Sequence, residues 1–156
     1  MRDEPTRLDL RADPDADLAP VALHVHADGL VAYPTETVYG VGGAVTEAAV
    51  ARLRRLKSRE AHRPFLLLVA SMDAVDGLRW TPEARDLART FWPGSLTLVL
   101  ADPHGIFPPW VHDPDRRAVG VRVSPHPMVA RLLEAIGGPL TSTSLNAPGE
   151  PPATSG

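Results

Sequence analysis

Residues 118–144 read AVGVRVSPHPMVARLLEAIGGPLTSTS, and this stretch decides the fold. AVGVRV (118–123) is a short apolar run of strand length. Ser124 stands where a helix cap belongs, and the apolar positions that follow, through Ile136, recur at helical spacing. Gly137-Gly138-Pro139 stops that helix, and LTSTS (140–144) starts a second strand. Strand, helix, strand, with apolar strands that lack a polar face, points to an α/β or mixed sheet covered by helices.

The same alternation extends upstream. Leu18 to Asp28 has helical spacing closed by Gly29, and LVAY (30–33) reads as a buried strand that Pro34 forbids from continuing at the centre of a sheet. Thr46 is a helix cap before Val50, Leu53 and Leu56, which predicts an amphipathic helix over 47–57. LLLVA (66–70) is a strand. Thr81-Pro82-Glu83 opens a helix ending near Phe91, and LTLVLA (96–101) is the next strand. Residues 102–117 carry four prolines and form the longest irregular connection, a length that in a compact domain points to a functional segment or a lid.

The 156 residues suit one domain, with 44% hydrophobic and 22% charged side chains. The first 17 residues hold nine charges and read as an exposed arm, with Leu8 and Leu10 pinning a short edge strand; 18–156 is the folded domain. The net charge of −3 argues against nonspecific nucleic-acid or membrane-surface binding by the whole chain. With no cysteine there are no disulfides, thiolate metal sites or cysteine nucleophile. No apolar run approaches the roughly 18 residues of a membrane span, so the cytoplasm is the expected location.

Against that acidic background, Arg52 to Arg63 (RLRRLKSREAHR) carries +5, leaving −8 for the remainder. A helix C-terminus welcomes cations through its dipole, but Lys57 is the only lysine in a chain with 15 arginines. A single compact ammonium suits phosphate oxygens, and Arg59 offers a planar fork for the same anion. PTETVYGVGG (34–43) reads as a glycine-rich loop whose amides and threonine hydroxyls face a ligand, although its spacing matches neither GxGxxG nor the P-loop. TSTSLNAPGEPP (141–152) ends a strand with four hydroxyl residues and then Asn146, polar groups suited to a site. Arg122, within an apolar strand, needs a partner: an anionic ligand or an internal Asp or Glu. The six histidines follow no zinc-ligand pattern, and no GxSxG supports a serine nucleophile.

In chain order PTETVYG, KSR, FWPGSLT, AVGVRV followed by HP, and TSTSLNAPGEPP resemble the YrdC-type domain of the threonylcarbamoyl-AMP synthase family. The resemblance runs from about Leu18 to the end of the chain. It implies an α/β fold, a twisted mixed sheet with helices on both faces around a deep cavity. It also implies an enzyme that joins L-threonine, bicarbonate and ATP into threonylcarbamoyl-AMP and pyrophosphate. Mg²⁺ arrives on the nucleotide, and the product serves tRNA modification through a downstream transferase complex, with no membrane partner.

Carried over by position, Lys57, Arg59, Ser144 and Asn146 are the catalytic set. ATP falls to those four and to the backbone of Ala118, and threonine to Thr35, Arg122 and Ser142. No residue is assigned to a metal. Three departures stand out: Arg63-Pro64-Phe65 replaces the usual Lys-Pro-Leu, Leu145 replaces a common alanine, and the sequence stops at Gly156, before the family's last C-terminal elements. The alternatives are a domain forming carbamoyl-AMP in carbamoyl transfer and a non-catalytic RNA-binding module.

Overall fold

The computed structural model describes residues 5–58, 63–147 and 149–154. Six strands form one mixed sheet in the order β1-β2-β6-β3-β5-β4. They are β1 (Leu30–Tyr33), β2 (Gly40–Gly43), β3 (Leu66–Leu68), β4 (Leu98–Ala101), β5 (Ala118–Arg122) and β6 (Leu140–Ser144). Only the β3–β5 pair is parallel among these neighbours. The helices are α1 (Ala19–His26), α2 (Glu47–Leu56), α3 (Pro82–Phe91) and α4 (Pro127–Ile136).

Alternation along the strands separates two cores. Leu67, Val119, Val121, Leu98 and Leu100 point to one face, where Val50 and Leu53 of α2 and Ala88 of α3 pack on them. Leu68, Leu140 and Tyr33 point to the other face, beneath Ala22 and Val25 of α1 and Leu132, Leu133 and Ile136 of α4. The strands carry few polar side chains because both faces are covered over much of their length. Helices therefore lie on both faces, as expected.

Thr46 and Thr81 cap α2 and α3 by accepting the amides of Ala49 and Ala84, at 3.2 Å in both cases. His24 and His26 are structural: each donates from Nε2 to a backbone carbonyl, Leu30 at 3.1 Å and Ile136 at 2.8 Å.

Three local expectations are corrected. The glycine-rich stretch after Val38 is not a loop to its end: Gly40–Gly43 is an inner strand, fully buried between β1 and β6. The absence of side chains that hid it from a pattern search is what lets it fit. A Cβ on Gly42 would run into the Thr141 carbonyl, and one on Gly40 would lie 2.9 Å from the Tyr33 ring. The cap of α4 is His126, which accepts the Met128 amide at 3.1 Å, because the helix starts at Pro127, two residues later than a Ser124 cap requires. Residues 5–17 form turns rather than an edge strand; Leu10 packs against the second core, and Arg131 of α4 donates to the carbonyls of Pro14 and Ala16.

The 102–117 connection is packed around one buried carboxylate. Asp102, 0% exposed, accepts the Ile106 and Phe107 amides and His112 Nε2, each at 2.9 Å. Phe107 and Val111 are thereby carried into the main core. Burial pushes the Asp102 pKa up, but the Phe107 amide, His112 and the Ile106 amide together hold it below the usual carboxylate range.

Candidate active site

Beyond the cover of α1 and α4, side chains of β6, β3 and β5 line a half-open trough of about 290 Å³ with the connection between β1 and β2. Its walls include Thr35, Glu36, Leu66, Arg122, Ser142 and Ser144. The register sets Leu66 opposite Ser142 and Leu68 opposite Arg122, so these side chains share a face across three adjacent strands. At about 4.8 Å per strand the trough is roughly 10 Å wide. The volume lies at the small end of the range for small-molecule sites, about 300–1,000 Å³. The helices over this face stop short of the trough.

At one end stands Lys57, the C-cap of α2. Its Nζ donates to the Ser144 carbonyl at 2.8 Å, the Asn146 carbonyl at 2.6 Å and Asn146 Oδ1 at 2.8 Å. The Ser144 hydroxyl also donates to Asn146 Oδ1 at 2.6 Å, and Asn146 Nδ2 donates to the Glu150 carbonyl at 2.7 Å. The lone lysine and the hydroxyl-rich stretch, 87 residues apart, thus meet in one hydrogen-bonded cluster. Amides and carbonyls of Tyr39, Leu145 and Ala153 tie the chain after β6 to the start of β2. Arg59 lies outside the described residues.

At the other end, the Arg122 guanidinium forms an ion pair with Glu36 and donates from Nε to the Gly94 carbonyl at 3.3 Å. Burial lowers the Arg122 pKa, which makes a counter-charge necessary. The partner left open by the sequence is therefore an internal acid. Glu36 also accepts the Ser124 hydroxyl at 2.5 Å, while Ser124 Oγ accepts the His126 amide at 3.2 Å.

Ser142 is buried and accepts the Tyr33 hydroxyl at 2.7 Å. Burial raises the Tyr33 pKa far above the ordinary phenol value, with the Ser142 bond opposing it, so the phenol stays a neutral donor. Thr35 is committed to its own loop: Oγ1 donates to the Val38 carbonyl at 2.5 Å and accepts the Thr37 and Val38 amides at 3.3 Å. Its one donor and both acceptor sites are thus engaged within the loop. Ala118 does not line the trough. It lies four residues before Arg122 on β5, about 13 Å away, and its carbonyl accepts the Asp113 amide at 2.8 Å.

The structure thus brings Lys57 and Asn146 together with Ser144, and places Ser144, Ser142, Thr35 and Arg122 on the trough wall. Glu36, Ser124 and the Gly94 carbonyl were missed by sequence reasoning. The available signal was an acid at the centre of PTETVYG and a buried arginine in need of one.

The sequence profile of the Sua5, YciO and YrdC family, described as "Telomere recombination", matches residues 24–156. This chain belongs to the Sua5/YciO/YrdC family. Among curated relatives, a threonylcarbamoyl-AMP synthase of Stenotrophomonas maltophilia is 43% identical over 135 residues, covering 83% of this chain and 71% of that one. Among solved structures, Pyrococcus abyssi Sua5 complexed with L-threonine superposes with a TM-score of 0.81 at 34% identity. That match covers 96% of this chain and 43% of the Sua5 chain, so the family member described here spans less than half of the archaeal protein. Escherichia coli YciO gives a TM-score of 0.77 at 26% identity, covering 94% of this chain and 69% of that one.

Proposed function

We propose that this chain is an L-threonylcarbamoyladenylate synthase, an enzyme that joins L-threonine, bicarbonate and ATP and releases pyrophosphate. The observation that carries this reading is a trough whose wall includes both Arg122 and Ser144, the latter hydrogen-bonded to Lys57 and Asn146. One end offers an ammonium and hydroxyl groups to phosphate oxygens, and the other offers a guanidinium to a small carboxylate. The S. maltophilia relative's name and the threonine-bound Sua5 structure support the same pair of substrates.

The chemistry is nucleotidyl transfer. The threonine amine first acquires a carboxylate from bicarbonate, and this N-carboxylate attacks the α-phosphorus of ATP. ATP brings about four negative charges, so catalysis rests on in-line placement and on cations that stabilise the departing pyrophosphate. Lys57 supplies one such charge, and Arg59 is assigned the same task.

Among the described residues no cluster could hold a metal ion, and the single carboxylate on the trough wall is engaged by Arg122 and Ser124. A Mg²⁺ would therefore travel with the nucleotide phosphates, without a seat of its own among these residues. Among the described residues no helix is long and apolar enough to cross a membrane. The product is read as the precursor of a tRNA modification completed by a downstream transferase in the cytoplasm.

The test is pyrophosphate release. Threonine, bicarbonate and Mg·ATP together should release pyrophosphate, and omission of threonine should abolish it. Release that requires carbamoyl phosphate in place of threonine would instead assign carbamoyl-AMP chemistry. RNA binding without nucleotide binding would assign the non-catalytic alternative.

A further inference from the structure

The sole carboxylate on the trough wall, among the described residues, belongs to Glu36. Its side chain is only 16% exposed, and that of Arg122 is 13% exposed. It is also doubly held, by the Arg122 guanidinium and by the Ser124 hydroxyl. Both members of this ion pair line the ligand trough. Building on the function proposed above, we propose that Glu36 binds the ammonium of the amino-acid substrate and accepts its proton, while Arg122 holds the carboxylate.

Charge balance favours this division. Without ligand, the Arg122 end of the trough holds one guanidinium and one carboxylate, which neutralise each other. A zwitterionic amino acid adds one charge of each sign, and only one arrangement pairs all four: carboxylate on Arg122, ammonium on Glu36. A ligand bringing a carboxylate alone would set two anions against one buried guanidinium, an uncompensated charge in a region of low polarity. The site should therefore discriminate for an amine as well as for an acid.

The same contact prepares the amine for reaction. An alkylammonium has no lone pair, so one proton must leave before nitrogen can attack bicarbonate. Transfer to Glu36 converts ammonium and carboxylate into amine and carboxylic acid with no change in net charge. The amine then forms the C–N bond to the bicarbonate carbon, and a C–O bond breaks. The departing oxygen leaves as water, taking the bicarbonate proton and one amine proton, which yields the N-carboxylate. Glu36 subsequently returns its proton to solvent. Ser124 is a positioning residue here: by donating to Oε2 it fixes the carboxylate plane and turns Oε1 toward Arg122 and the ligand.

The experiment is calorimetric titration, in the presence of ATP, of the wild-type chain, Glu36→Gln and Arg122→Gln. The ligands are L-threonine and 3-hydroxybutyrate, the same skeleton without the amine. The wild type should prefer threonine by on the order of 10- to 100-fold, the range of a charge-assisted hydrogen bond, and in Glu36→Gln the preference should fall to near unity. An unchanged preference in Glu36→Gln, with threonine binding still lost in Arg122→Gln, overturns the role of Glu36 and leaves the function standing. Tighter binding of both ligands by Glu36→Gln also overturns it, since Glu36 would then be only a displaceable counter-ion. No threonine binding by the wild type overturns the underlying function and this inference together. If Glu36→Gln does not fold, Glu36→Asp carries the test: it should keep the preference and slow pyrophosphate release, and equal affinity for both ligands overturns the proposal.

Discussion

Lys57 Nζ lies 2.8 Å from the carbonyl oxygen of Ser144, so the end of α2 is fastened to the end of β6 through one ammonium group. With the two contacts to Asn146 its three protons are directed at three oxygens that converge on one point. An incoming phosphate has to take over at least one of these donors. The free site is thus preorganised around the group that the chemistry uses.

Lys57→Ala should lower pyrophosphate release by 100-fold or more, on the order expected for losing one charged transition-state contact. Its fold should survive, at a cost of about 1–3 kcal/mol for the backbone carbonyls left without that donor. Lys57→Arg should not restore activity, because a planar fork cannot aim three donors from one nitrogen. Turnover and thermal melting measured on the same preparations check both statements.

Asn146→Asp keeps an acceptor for Lys57 and Ser144 but removes the donor to the Glu150 carbonyl and adds a negative charge beside the proposed phosphate position. ATP affinity should fall about tenfold or more, while threonine affinity changes little. Titration with each ligand separately measures the contrast. An equal loss for both would mean that the cluster supports the whole trough rather than its nucleotide end.

Gly42→Ala should destabilise the fold by about 3 kcal/mol or more, the upper range for overpacking, because the new methyl meets the Thr141 backbone rather than a side chain that can turn away. Gly138→Ala, with nothing within 4 Å of the added carbon, should shift the denaturant midpoint little. Urea unfolding of the two variants beside the wild type measures the difference.

Asp102 predicts an acid limb in stability. Its folded pKa is depressed, so between the folded value and the unfolded value of about 3.9 the unfolded chain binds more protons, and stability rises with pH. The contribution is complete above about pH 4 and is lost as pH falls through the folded pKa. Asp102→Asn should cost about 1–3 kcal/mol at neutral pH, since it turns an amide donor toward a pocket of donors. It should also flatten this part of the acid limb in melting temperature against pH.

Much of the architecture is legible in local pattern. The caps at Thr46 and Thr81, the helices that follow them and the apolar runs of β3, β4 and β5 are specified within a few residues each. β2 escapes such a reading, because three glycines around one valine carry no periodicity; that segment is a strand only because Tyr33 and Thr141 press on it from neighbouring strands. Ser124 also misleads. It has the side chain of a helix cap, but α4 starts at Pro127, so the cap falls to His126, while the Ser124 hydroxyl donates to a carboxylate 88 residues away.

The sequence by itself determined which groups this protein has to work with: one lysine in a basic segment, hydroxyls and an asparagine closing a strand, an arginine in an apolar run, and no thiol. Those are properties of residue type and of spacing within a turn or a strand, and they are present before the chain folds. Tertiary structure alone decided that Arg122 is neutralised by Glu36, that Lys57 reaches Ser144 and Asn146, and that Ala118 stays clear of the trough. Each depends on strand order and register, which set distances between groups tens of residues apart. No local preference encodes such a distance; it emerges when both faces of the sheet are buried and only one register satisfies them.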